Sequence, residues 1–177
     1  MKIGIAITTR NRPDVCTQTV EQINKYRPDG SLLYIVDDAG TPPFGGYGFT
    51  PNVFKFENHV GVGVAKNKCL ELLHDAGCTH FFLFDDDCFP VVDKWWEPYI
   101  DSKLKHACWT FDRKVIFAGD YYTEYEKPNG CMLYFTRAVI DKVGGWDLEF
   151  QGYGYDHCNL SDRIFNNNLT PGRYVNA

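Results

Sequence analysis

An alternation limits what this chain can fold into. Runs of apolar, often β-branched residues at KIGIAITT (2–9), SLLYIVDD (31–38), VFKFENH (53–59) and THFFLFDDD (79–87) are interleaved with segments of helical character. The helical segments are PDVCTQTVEQINK (13–25), opened by Pro13 and Asp14, and VGVGVAKNKCLELLHDAG (60–77), closed by Gly77. Three of the runs lack a polar face, as strands buried on both sides do. Strands that alternate with helices in this way predict an α/β fold with a mostly parallel central sheet flanked by helices.

The second half continues more irregularly. A helix is expected over PVVDKWWEPYIDSKLK (90–105), with Trp95 and Trp96 packing it on the sheet. Short strands are expected at ACWTF (107–111) and VIFAGDYY (115–122), and a longer one at GCMLYFT (130–136). RAVIDKVGG (137–145) reads as a helix with a glycine stop, 147–155 as a loop, and HCNLSDRIFNNN (157–168) as a last helix. No linker divides the 177 residues, so one domain is expected over 1–177, with a first half over about 1–90 and a second over about 105–177.

In an open parallel sheet the ligand crevice lies at the carboxyl ends of the strands. Here those ends carry Thr8, Thr9 and Arg10, then Asp37 and Asp38, then Asp85, Asp86 and Asp87. Three adjacent carboxylates against an apolar strand require positive charge nearby. Two hard oxygen ligands beside a phosphate are the usual means of holding Mg2+ or Mn2+. Alternate residues of an extended chain share a face, which pairs Asp85 with Asp87 and turns Asp86 elsewhere. An acidic turn capping the following helix is the competing explanation.

Composition narrows the classes. A formal charge of −5 and the absence of any basic run argue against nucleic acid or an anionic membrane surface as partner. Seven scattered cysteines form no CxxC pair, which favours reduced thiols in a cytoplasmic setting. The first apolar run is too short for a signal segment or a transmembrane span. GVGVAKNK is neither a phosphate-binding P-loop nor a complete dinucleotide fingerprint, and no serine-hydrolase elbow or zinc-protease helix is present.

Six segments, taken in order, resemble the glycosyltransferases of the GT-A fold, nearest to family 2 and to galactosyltransferase-like catalytic domains. ITTRNRP resembles the opening strand and turn of that group, VDDAG its VDDGS segment, and FFLFDDDC its DxD strand. ENHVGVGVAKNKCLE resembles N-x-G-x-x-x-A-R-N, with Lys66 in place of arginine. NGCMLYFTRAVIDKVGGWDLEF resembles the acceptor-side strand and helix, and GYGYDHCNLSDRI the acidic motif GWGGEDxDL.

The resemblance implies a metal-dependent, inverting transfer of a sugar from a nucleoside-diphosphate sugar, UDP before others, to a hydroxyl acceptor such as a glycan or glycolipid. Thr8, Thr9, Arg10, Asp37 and Asp38 would bind the nucleotide, Lys66 and Asn67 would sit near the diphosphate, and Asp86 would lie among them. Asp85 and Asp87 would hold Mn2+ or Mg2+, and Asp156 or His157 would deprotonate the acceptor. Asp156-His157 stands where relatives commonly read Glu-Asp, so the base remains open between the two. Trp146, Tyr153 and Tyr155 would contact the acceptor. The resemblance also implies chain beyond the acidic motif, often with a metal-binding histidine. None follows His157 here, as expected of a minimal catalytic domain, of a piece of a longer chain, or of a site whose metal shell is finished by water or by His157. A nucleotide-sugar-binding protein without turnover is the alternative. A nucleotidyltransferase fits less well, because TTRNRP lacks the glycines of its phosphate loop.

Overall fold

The computed structural model describes residues 1–45, 52–149 and 156–177. Its larger sheet contains β1 (Ile3–Thr9), β2 (Leu32–Asp37), β3 (Asn52–Lys55), β4 (His80–Asp85), β5 (His106–Cys108) and β8 (Met132–Thr136). The strand order is β3-β2-β1-β4-β8-β5. The first four run parallel, whereas β8 runs antiparallel to both β4 and β5. A smaller sheet joins β6 (Val115–Ala118), β7 (Thr123–Tyr125) and β9 (Val175–Asn176). The expected mainly parallel α/β sheet is therefore present, and the last two-residue strand is an addition that no periodicity announces.

Helices cover both faces of the large sheet. On one face Cys16, Val20 and Ile23 of α1 (Pro13–Tyr26) pack on Ile5, Ile7, Phe82 and Phe84. On the other, Ala65, Cys69, Leu70 and Leu73 of α2 (Val62–Asp75) join Val139 of α4 (Arg137–Val143) and Leu160 and Ile164 of α5 (Asp156–Asn166). Gly4 lets α2 approach closely, since a Cβ there would lie 2.6 Å from Leu73 Cδ2 and 2.7 Å from Cys78 Sγ.

The helix expected over 90–105 is only one short turn, α3 (Glu97–Asp101). Tertiary packing explains the shortfall. Trp95 sets its ring edge-on to Phe82 and Phe84 and donates from Nε1 to the Tyr26 carbonyl at 3.0 Å, which fixes the preceding residues as turns. The tryptophans thus pack the segment on the sheet as expected, but without a long helix.

Candidate active site

The carboxyl ends of β1, β2 and β4 open into a cavity of about 1170 Å³. Thr8, Thr9, Arg10, Asp38, Lys66, Asp85, Asp86, Asp87, Asp156 and His157 all line it. Residues as far apart in sequence as Thr8 and His157 meet here because three parallel strands end at one edge while α2 and α5 begin beside it.

The three aspartates divide by environment. β4 ends at Asp85, and the Cys88 amide bonds to the Asp85 carbonyl at 3.2 Å, so Asp86 and Asp87 form the centre of a turn. Strand alternation stops two residues sooner than the sequence suggests. Asp85 sends Oδ1 to Lys66 Nζ, 2.7 Å away. Asp86 is buried and accepts from Thr9 Oγ1 at 2.7 Å and from Arg12. Asp87 is half exposed and accepts from Arg12 at 3.0 Å. Burial pushes the Asp86 carboxyl up from its ordinary value, against the opposing pull of Thr9 and Arg12.

Lys66 is 1% exposed. Burial acts to lower its ammonium, but the Asp85 charge and hydrogen bond outweigh that and raise it, so the group stays charged. It also lies 5.9 Å from the Trp146 ring centroid. The protein therefore supplies its own counter-charges to the acidic strand end. Sequence reasoning placed Lys66 at the site and missed Arg12, although the need of three carboxylates for cations and the motif TTRNRP together pointed to it.

The far wall is Asp156 with His157. Asp156 opens α5, is buried, and has its Oδ2 without a hydrogen-bond partner among the described residues. His157 Nε2 lies 3.8 Å from that oxygen, too far for a hydrogen bond. Burial first, and Lys66 second, push the His157 imidazole down, which favours its neutral form.

Other expected residues sit differently. Asp37 does not line the cavity; its carboxylate accepts from the Gly40 and Phe44 amides, both at 2.8 Å, and so closes a turn. Asn67 grips the backbone of Trp146, accepting from its amide at 2.7 Å and donating to its carbonyl at 2.9 Å. The Trp146 ring is only 3% exposed and packs edge-on to Phe135 and His157. It backs His157 rather than presenting an open face for a sugar, because GG ahead of it turns the chain inward onto Asn67. Tyr153 and Tyr155 lie outside the described residues. His59, unforeseen, lines the cavity beside Asp38.

This arrangement is that of the GT-A fold. The mannosyltransferase PcManGT from Pyrobaculum calidifontis, solved with GDP-Man and Mn2+, superposes with a TM-score of 0.66 at 14% identity, over 92% of this chain and 51% of its own. TarS residues 1–349 of S. aureus, solved with UDP, give 0.66 at 12% identity over 94% and 56%. GalNAc-T7, solved with UDP, GalNAc and Mn2+, gives 0.69 at 13% identity over 93% and 40%. The chain thus spans about half the length of these structures or less. No family model matches it. In sequence it is similar to the uncharacterised glycosyltransferase R363 of Acanthamoeba polyphaga mimivirus, 23% identical over 97% of this chain and 76% of that protein.

Proposed function

We propose that the protein is a metal-dependent, inverting glycosyltransferase that moves a sugar from a nucleoside-diphosphate sugar, UDP first among the nucleotides, to a hydroxyl acceptor. The observation that carries this reading is the single cavity in which Asp85, Asp87, Lys66 and Asp156 converge. The fold, the mimivirus glycosyltransferase, and the complexes of its neighbours with GDP-Man, UDP and Mn2+ support it.

The residues present fit a divalent ion. Asp85 and Asp87 offer hard oxygen donors on one cavity wall, and each has one oxygen engaged by a resident cation. No group of three or more potential ligands occurs among the described residues. Two carboxylates, with water and substrate phosphate completing the shell, are a common Mg2+ arrangement. When bound, such an ion offsets the negative charge of the diphosphate leaving group.

The chain's own groups do the remainder. Across the sheet, the ends of β4, β1 and β2 lie side by side, separated by roughly 4.8 Å per strand. A diphosphate over β4 therefore places a ribose over Thr8 and Thr9 and a base toward Asp38. Lys66 adds positive charge beneath the diphosphate, as a point charge rather than a bidentate fork. Asp156, with His157 as the second candidate, takes the acceptor proton as the oxygen attacks the anomeric carbon. The carbon–oxygen bond to the diphosphate breaks as the new glycosidic bond forms, and one such displacement inverts configuration.

Transfer from UDP-sugars in the presence of Mn2+, followed by mass spectrometry of the products, tests this. Asp87→Asn and Asp156→Asn should each lower turnover by at least about 100-fold. Full activity in either variant removes that residue from its role. A second reading, donor binding without turnover, draws on the engagement of Asp85 and Asp87 by Lys66 and Arg12. Metal-stimulated UDP binding with neither transfer nor hydrolysis would favour it. No helix among the described residues is long and apolar enough to cross a membrane.

A further inference from the structure

We propose that His59 reads the nucleobase, accepting a hydrogen bond at Nε2 from the ring N–H of uracil or guanine and so selecting these bases over cytosine and adenine. The inference rests on the nucleotide-sugar reading of the cavity and names a determinant within it.

Asp38 is the obvious group for a base at this end of the cavity, yet its carboxylate is largely engaged. Oδ1 accepts from the Val60 amide at 2.7 Å, and Oδ2 accepts from the Gly61 amide at 3.0 Å and from His59 Nδ1 at 2.7 Å. A carboxylate has about four acceptor positions, and three are used within a group that is 5% exposed. Asp38 therefore acts as the clamp that fixes the turn ahead of α2. What it clamps is His59, whose side chain is half exposed and lines the cavity.

The clamp also sets the chemistry of the ring. An ionised carboxylate only accepts, so Nδ1 must carry the proton it donates to Asp38. In the neutral imidazole Nε2 then holds a lone pair, and no group among the described residues donates to it. Uracil N3 and guanine N1 each present an N–H flanked by carbonyl carbon, which this lone pair can accept. Cytosine N3 and adenine N1 present lone pairs of their own at the equivalent edge, and lone pair would face lone pair. His59 stands beyond the end of β2, two strands from Asp85, where a base would lie if the diphosphate sits over β4.

Calorimetric titration of UDP, GDP, CDP and ADP with Mn2+ in excess tests the assignment, using the full chain, His59→Ala and His59→Gln. The unaltered protein should bind UDP or GDP at least about tenfold more tightly than CDP and ADP, the worth of one hydrogen bond against an unpaired group. His59→Ala should erase that ratio while leaving CDP and ADP affinity within about twofold. His59→Gln, which keeps an acceptor oxygen, should restore part of it. An unchanged ratio in His59→Ala, with near-native far-UV circular dichroism, overturns the His59 assignment and leaves the nucleotide reading intact. So does a preference of the unaltered protein for CDP or ADP. Failure of all four diphosphates to bind overturns both.

Discussion

The Lys66–Asp85 pair has one buried and one open partner, so its two single variants should differ sharply. Lys66 is 1% exposed at its side chain and Asp85 35%, with 2.7 Å between charges. Asp85→Asn leaves an ammonium in the interior without its ion-pair partner, with Asp156 as a weaker opposing charge. Stranding one member of a buried pair costs about 3–5 kcal/mol. Because water reaches a third of Asp85, the lower end applies, about 3 kcal/mol. Lys66→Met leaves a carboxylate that can turn into the cavity and be hydrated, while Met fills a similar volume against Trp146; the expected cost is below about 1 kcal/mol. The double variant should recover most of the loss, since apolar replacement of a buried pair is often neutral.

Urea unfolding followed by tryptophan fluorescence measures all three, and at this chain length about 3 kcal/mol corresponds to roughly 6–12 °C in Tm. A pH series adds a sign. In the native protein the Lys66 ammonium is raised above its ordinary 10.5, so its contribution is complete below pH 10.5 and disappears as pH climbs through the raised value. In Asp85→Asn burial, the largest influence on the group, is opposed only by the weaker pull of Cys69 and Asp156 and lowers it, so stability should instead increase with pH below 10.5 as the lysine sheds its proton. Equal losses in the two single variants, or parallel pH slopes, would refute the claim that Lys66 is the buried partner held by Asp85.

Gly145→Ala should destabilise by about 1–3 kcal/mol, because its Cβ would collide with the Asn67 amide that holds Trp146; thermal denaturation reads the shift. Removing the clamp itself by Asn67→Ala should cost a similar amount, about 1–3 kcal/mol, by leaving the Trp146 amide and carbonyl without partners. Arg12→Gln should strengthen Mn2+-induced thermal stabilisation, because Arg12 competes for Asp87 and its loss leaves the acidic turn more negative; an unchanged metal response would show that no competition exists. The buried His106 imidazole is pushed down to about 4 by burial, so unfolding should become easier as pH falls from 6.5 toward 4, by about 3 kcal/mol in all. His106→Asn should flatten that acid limb in a pH series of urea midpoints.

How much of this was legible depended on whether the signal was local. The parallel strands carried theirs in consecutive apolar residues, and Pro13 and Gly77 punctuated α1 and α2 almost to the residue. The second half was less readable because contacts at a distance set its structure. The Trp95 anchor on β4 and Tyr26 shortened a helix that composition alone favoured. β9 has two residues and owes its existence to pairing with β7. Within the site, strand ends announced the aspartates, but not which would face inward, since the turn at 86 and 87 breaks the alternation on which that inference relied.

The same distinction separates residues that meet a ligand from those that hold them in place. Asp37, Asp38 and Asn67 are polar groups at the expected edge, and each spends its hydrogen-bonding capacity on backbone amides or carbonyls, Asp38 on His59 as well. A buried polar group with satisfied partners rigidifies its surroundings, and that is what a preorganised site requires. Residue type and position cannot distinguish the two roles, because a carboxylate that clamps a loop and one that greets a ligand look alike in a sequence. Counting acceptor positions can. Asp38 has three of about four in use, whereas Asp87 is half exposed and, among the described residues, shares its charge only with a half-exposed arginine. Charge exchange with an incoming cation is therefore cheapest at Asp87, and the tight Asp38 cluster is better suited to fixing the shape against which a base is measured.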